Sequence, residues 1–154
     1  MQNHIKTETR LAFIQFIFSS FFSDKSIKEN SNEFEKYFNK LLVSSIEQEK
    51  ETLIKFNKNY FNQLTLCYDN FINKNQVDDI VNPLIVFDRK FDKWDAINKS
   101  IILSIFSELE ITKKDKIKIL LNDYLNISKL LIPKKELGMI NAIADKYINE
   151  KKII

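Results

Sequence analysis

Apolar residues recur along this chain at intervals of three and four, the spacing that gathers side chains onto one face of an α-helix. Seven such segments can be read. The first, from about Thr7 to Ser23, sets Leu11, Ile14, Phe18 and Phe21 on one stripe, and Phe13, Phe16 and Ile17 widen it almost all the way round. A helix so apolar belongs at the centre of a core or is shared with a partner. The second, about Asn32 to Leu42, has Ser31 as its expected cap. The third is expected to start near Ser45, where Ser45 and Gln48 have capping-box spacing, and to run on to Phe71. A short fourth segment holds Val77, Ile80, Val81 and Leu84, with Pro83 set to end it. The fifth is capped by Asp95 and runs to about Glu110; its centre, Ile101 to Phe106, is apolar on nearly every side. The sixth, with Thr112 as expected cap, carries Ile117, Leu120, Leu121, Tyr124 and Ile127 before Pro133. The seventh buries Leu137, Ile140, Ile143, Ala144, Tyr147 and Ile148 and ends in a lysine-rich tail.

Composition strengthens the helical reading. The chain of 154 residues has one glycine and two prolines. A strand-rich fold would lack the residues that its tight turns need. No repeat or low-complexity linker divides the chain, so residues 1–154 are expected to form one all-α domain. A single glycine also excludes Walker and Rossmann phosphate loops. One histidine (His4) and one cysteine (Cys67) exclude Cys/His zinc sites and intrachain disulfides. Cys67 falls on the apolar stripe of the third segment and reads as a packed core thiol in a reducing, cytoplasmic protein. The apolar run from Leu11 to Phe22 is too short for a membrane span, which needs about 20 residues, and lacks a good signal-cleavage site.

Charge adds a polarity that composition alone hides. From Thr112 onward ten lysines face five acids, a net +5 within a total of +3, which leaves −2 for the residues before. A basic C-terminal third suits an anionic partner, although solvated lysine faces are common on helices.

No arrangement of side chains reads as an enzyme site, and neither metal nor cofactor is expected. Asp78 and Asp79 are adjacent and diverge around a helix, and a nucleophile–histidine pair would have to use His4 near a terminus. Lys6 and Arg10 are four apart and share a face at the head of the first helix, where free backbone N–H groups also favour phosphate. Two readings stay open for Arg10: a phosphate contact, or an ion pair with Glu8 or a carboxylate on a neighbouring helix.

Three stretches together resemble the NusB family. They are Arg10-Leu11-Ala12-Phe13-Ile14-Gln15-Phe16-Ile17-Phe18; Ile97-Asn98-Lys99-Ser100-Ile101-Ile102-Leu103 with Ser107-Glu108-Leu109; and Lys118-Ile119-Leu120-Leu121-Asn122-Asp123-Tyr124 leading to Met139-Ile140-Asn141-Ala142-Ile143-Ala144-Asp145-Lys146. Their order and spacing fit as well. The resemblance implies a fold of about seven helices in two perpendicular three-helix bundles. It implies an RNA-binding transcription antitermination factor that pairs with ribosomal small-subunit protein ten (NusE). The pair binds the single-stranded boxA element of ribosomal RNA operons and works with RNA polymerase.

Carried over by position, the RNA surface would comprise Lys6, Arg10, Lys134, Lys135, Met139, Asn141 and Lys146. The partner surface would include Phe18, Phe22 and Asn98. The chain departs from the family pattern in places. Thr7, Glu8 and Thr9 stand among positions that are often basic or small, and Met139 replaces a phenylalanine able to stack on a base. Ala142 replaces a glycine, Phe18 a tyrosine, and Asn98 an acid able to pair with a partner cation. These losses leave open a helical protein-interaction module that kept the fold and lost RNA binding. A detached relative of the NusB-like region of some RNA methyltransferases would also be a binding unit. The apolar first helix permits a homodimer. The RNA reading requires the start of the first helix to lie beside the start of the seventh, so that Arg10 and Lys135 form one positive face.

Overall fold

The computed structural model describes residues 2–34, 36 and 56–151. Among them every regular element is a helix and no strand occurs. The helices are α1 (Asn3–Ser20), α2 (from 27, helical through 34), α3 (Lys58–Lys74), α4 (Val77–Val81), α5 (Ala96–Leu109), α6 (Ile117–Ser128) and α7 (Lys134–Glu150). Short 3₁₀ turns stand at Asn82–Leu84, Phe91–Lys93 and Lys114–Lys116. The all-helical architecture expected of the sequence is the one adopted.

α5 is the central element. It packs against α1, α3, α6 and α7, and every residue from Ser100 to Leu109 is buried. Its three core serines keep their hydroxyls satisfied locally: Ser100, Ser104 and Ser107 donate to the carbonyls of Ala96, Ile101 and Leu103 at 2.7, 2.7 and 2.6 Å. α1 is the second buried helix, with Ala12, Phe13, Ile14, Phe16 and Ile17 fully enclosed. Phe16 and Phe61 of α3 meet edge to face at 5.7 Å, and Phe106 of α5 stacks on Tyr147 of α7 at 3.9 Å. Each fully buried ring of this kind contributes about 1.5–3 kcal/mol. One continuous hydrophobic core joins the described helices.

Four expected boundaries are corrected. α1 begins at Asn3, ahead of Thr7. Ser31 lies inside α2 and is buried, so it caps nothing. α3 starts at Lys58, because Asn57 takes extended geometry and its side chain accepts the Tyr60 N–H at 2.8 Å. The expected start at Ser45, with Gln48, lies outside the described residues. Thr112 belongs to the end of α5: its hydroxyl donates to the Glu108 carbonyl at 2.6 Å, and α6 begins after the turn at Lys114–Lys116. Asp95 does stand at the N-cap of α5, though its side chain makes no capping bond. Pro83 sits in the 3₁₀ turn that ends α4, as its missing N–H dictates.

Candidate nucleic-acid interface

The head of α1 is anchored by Arg10, whose side chain is only 10 % exposed. Its guanidinium grips Glu108 of α5 through two parallel bonds, Nε to Oε1 at 3.0 Å and Nη2 to Oε2 at 2.8 Å. The remaining nitrogen, Nη1, reaches Asp123 of α6 at 2.6 Å. Planar, bidentate pairing of this kind is what arginine does and lysine cannot. The hydroxyl of Tyr124 donates to Glu108 Oε1 at 2.7 Å, and that of Tyr60 donates to Oε2. The two rings also flank the cation, 5.5 and 5.9 Å from its central carbon.

Burial alone would lower the Arg10 pKa, but the hydrogen bond and negative charge of Glu108 outweigh it and hold the guanidinium charged. Burial, together with the same carboxylate, pushes the Tyr60 and Tyr124 hydroxyls up, so both stay protonated donors. Of the two readings left open for Arg10, the structure therefore shows the ion pair with neighbouring helices. Its charge is neutralised behind the surface.

Thr7 and Thr9, two of the departures from the basic motif, have structural work here. The Thr7 hydroxyl lies 2.8 Å from Asp123 Oδ1. Thr9 is fully buried; it donates to the Ile5 carbonyl at 2.7 Å and accepts the Asn57 N–H at 3.0 Å. A lysine or arginine at Thr9 would have no room.

In front of Arg10 a groove of about 650 Å³ opens between the head of α1, the end of α5 and α6. Its charged lining is Lys6, Arg10, Lys113 and Lys116 against Glu108 and Asp123, four cations to two carboxylates. With Arg10 held by both acids, Lys113 and Lys116 on the α5–α6 turn are exposed cations, and Lys6 is partly so. Asn122 and Asn126 add amides along the same wall. Lys113 and Lys116 belong to the basic C-terminal third, and helical periodicity does not mark them as site residues. The signal that could have found them is their position in the turn that follows Glu108.

A second groove, of about 540 Å³, lies at the other end of α5. It is lined by Asn98, Asp95, Lys135, Glu136 and Met139, with Phe87, Arg89 and Trp94 from the irregular segment before α5. Phe87 stacks on Trp94 at 6.2 Å with 19° between the ring planes, and Trp94 donates its indole N–H to the Arg89 carbonyl at 3.2 Å. Asn98 is 4 % exposed. Its amide nitrogen donates to Glu136 Oε1 at 2.8 Å, while its Oδ1 is buried with no partner. An unpaired buried acceptor costs about 1–3 kcal/mol.

These two grooves separate the residues expected to share one face. Asn98 and Glu108 are ten residues apart on α5, about 15 Å at the helical rise. Lys6 and Arg10 therefore stand at one end of α5 and Lys135 at the other, and the expected single strip is replaced by two sites. Lys134 is exposed beside Lys135 in the first turn of α7, and Asn141 is exposed farther along it. Lys146, also exposed, lies 3.4 Å from the Leu84 carbonyl.

Of the residues assigned to a partner surface, Phe18 and Phe22 at the end of α1 are 38 % and 72 % exposed, with ring centroids 5.3 Å apart. Asn98, also assigned there, is buried at the wall of the second groove. Cys67 is a buried free thiol, pushed up to about 11 by burial and by the charges of Glu108 and Glu110.

Among the described residues no group of three or more His, Cys, Asp and Glu side chains is placed to hold a metal ion. No helix there is long and apolar enough to cross a membrane. Comparison with protein families matches residues 7–149 to the NusB family. No curated protein matches the chain.

Proposed function

The chain belongs to the NusB family, whose role is RNA binding in transcription antitermination, and from that premise we propose that it is a cytoplasmic adaptor pairing with ribosomal small-subunit protein ten to bind boxA-type single-stranded RNA. The observation that carries this is the cationic groove at the head of α1, where Lys6, Lys113 and Lys116 rim a site whose arginine is already neutralised. Phosphate contacts supply most sequence-independent RNA affinity. Lys134, Lys135, Asn141 and Lys146, with Met139, lie along α7 apart from this groove, so on this reading the strand meets two separate sites and not one positive face. The exposed Phe18 and Phe22 rings are the surface for the protein partner.

Fluorescence anisotropy of a labelled boxA RNA in increasing salt tests the proposal. The isolated chain is expected to bind weakly and more tightly once the ribosomal partner is added. Replacing Lys113 or Lys116 with alanine should each flatten the slope of log affinity against log salt by about 0.7, the contribution of one phosphate contact on a single strand. Slopes unchanged in both variants would remove the groove from the interface. A second reading, a protein-interaction module without RNA binding, draws on the two exposed phenylalanines. It predicts retention of the ribosomal partner in a pull-down and no RNA shift under any salt.

A further inference from the structure

We propose that the groove at the start of α5 is a pocket for one unpaired nucleobase, and that Asn98 selects bases carrying an exocyclic amino group. The inference rests on the RNA-binding reading above and adds to it a site of base selection.

The starting point is the orphaned oxygen of Asn98. Which end of the amide faces Glu136 is settled by chemistry, since an ionised carboxylate only accepts hydrogen bonds. The nitrogen must therefore donate to Glu136, as it does at 2.8 Å, and the oxygen is left as an acceptor. Rotating the amide would place two acceptors together. A ligand that completes this site has to bring a donor.

The rest of the groove says what kind of group brings it. Arg89 and Lys135 are balanced by Asp95 and Glu136, so the lining carries no net formal charge. That balance does not favour a phosphate and suits an uncharged group. Phe87, stacked on Trp94, is 40 % exposed and offers ring surface to a flat ligand. Stacking on an aromatic ring beside an acceptor that reads a base edge is how single-stranded nucleic acid is held. The lining also brings acceptor-bearing side chains together, since Asn98, Asp95 and Glu136 all border this groove beside Arg89 and Lys135. Adenine and cytosine present an amino group with two N–H donors to such a set. Uracil presents one ring N–H between two carbonyl oxygens, which the Asn98 oxygen would repel. Oδ1 is shielded from solvent in the free protein, so the groove opens at its aromatic side as the base enters. Phe87, on the irregular stretch before α5, is the ring that has to shift for this.

The test compares short oligo(C), oligo(U), oligo(A) and an oligomer of purine riboside, which lacks the amino group, by anisotropy at one salt concentration with the ribosomal partner present. Cytosine and uracil share ring size and charge but differ at N3 as well as at the amino position, so adenine against purine riboside is the pair that isolates the amino group. Wild type is expected to favour C over U, and A over purine riboside, by about three- to ten-fold, the worth of one hydrogen bond. Asn98→Leu should erase both preferences. Phe87→Ala should weaken every oligomer by roughly five-fold or more, and Lys113→Ala, in the other groove, should weaken all of them without touching the preference. Because purine riboside alters the ligand, it tests the pocket even if Asn98→Leu folds poorly.

Equal binding of C and U by wild type, or a preference that survives Asn98→Leu, overturns the proposal. So does an Asn98→Leu variant that keeps its RNA preferences and loses the ribosomal protein, which would assign the missing donor to that partner. If wild type binds none of the oligomers, the RNA-binding reading fails and the pocket with it. If it binds through Lys113 and Lys116 without choosing among bases, only the pocket fails.

Discussion

Arg10 joins three helices through one planar group: it rises from α1, pairs with Glu108 of α5 and reaches Asp123 of α6. Removing one member of a buried pair leaves a charge without compensation, which costs about 3–5 kcal/mol. Arg10→Met is expected near the lower end of that range, because the Tyr60 and Tyr124 hydroxyls still donate to Glu108. Adding Glu108→Gln to that variant should recover part of the loss, since the stranded negative charge goes with it. Urea unfolding of the two single variants and the double variant gives the coupling directly. Additive losses would mean that the pair contributes little beyond packing. Sequence spacing showed that Lys6 and Arg10 share a helix face, but not that Arg10 turns inward. Its partner is 98 positions away, a tertiary contact that helical periodicity does not encode. The same limit hid Thr9, whose burial makes its departure from the basic motif a matter of packing.

The helix enclosed on every side is legible almost to the residue, whereas the starts of the long helices α1 and α3 are not. α5 was expected from the Asp95 cap to about Glu110 and occupies Ala96–Leu109, because ten consecutive enclosed positions leave little freedom in where it lies. Boundaries governed by a single polar side chain were not. Thr112 has the chemistry of a cap, yet its hydroxyl turns back to the Glu108 carbonyl, and a 3₁₀ turn intervenes before α6. Asn57, which does cap α3, competed in the sequence with an apolar pattern that ran through it. α7 shows the converse, a local weakness that the fold tolerates. Gly138 lies within it with no atom inside 4 Å of where a side chain would begin. Glycine in an exposed helix interior costs about 0.5–1 kcal/mol relative to alanine through backbone entropy. Gly138→Ala should therefore stabilise the chain by that amount, read as a higher urea midpoint with an unchanged slope. A lower midpoint would mean that α7 needs flexibility at this position or meets a neighbour there.

Across the whole molecule the two grooves turn a single expected landing strip into two sites at opposite ends of α5. One carries an excess of cations and suits the RNA backbone. The other has balanced charge, an aromatic wall and an unpaired acceptor. Separated sites of different chemistry make affinity depend on the length of the strand. An oligonucleotide too short to span them engages one at a time, whereas a longer one closes the second contact intramolecularly at a high effective concentration. A series of labelled single strands of increasing length should show affinity rising in a step rather than smoothly. The double variant Lys113→Ala/Lys116→Ala should abolish the step, leaving strands of every length with only the weak binding of the other groove. A smooth rise in wild type, tracking the number of phosphates alone, would mean that the strand follows a continuous basic surface and that α5 does not divide it. The step height relative to the shortest strand reports how rigidly α5 holds the two ends apart, because any play between them lowers the effective concentration at the second site.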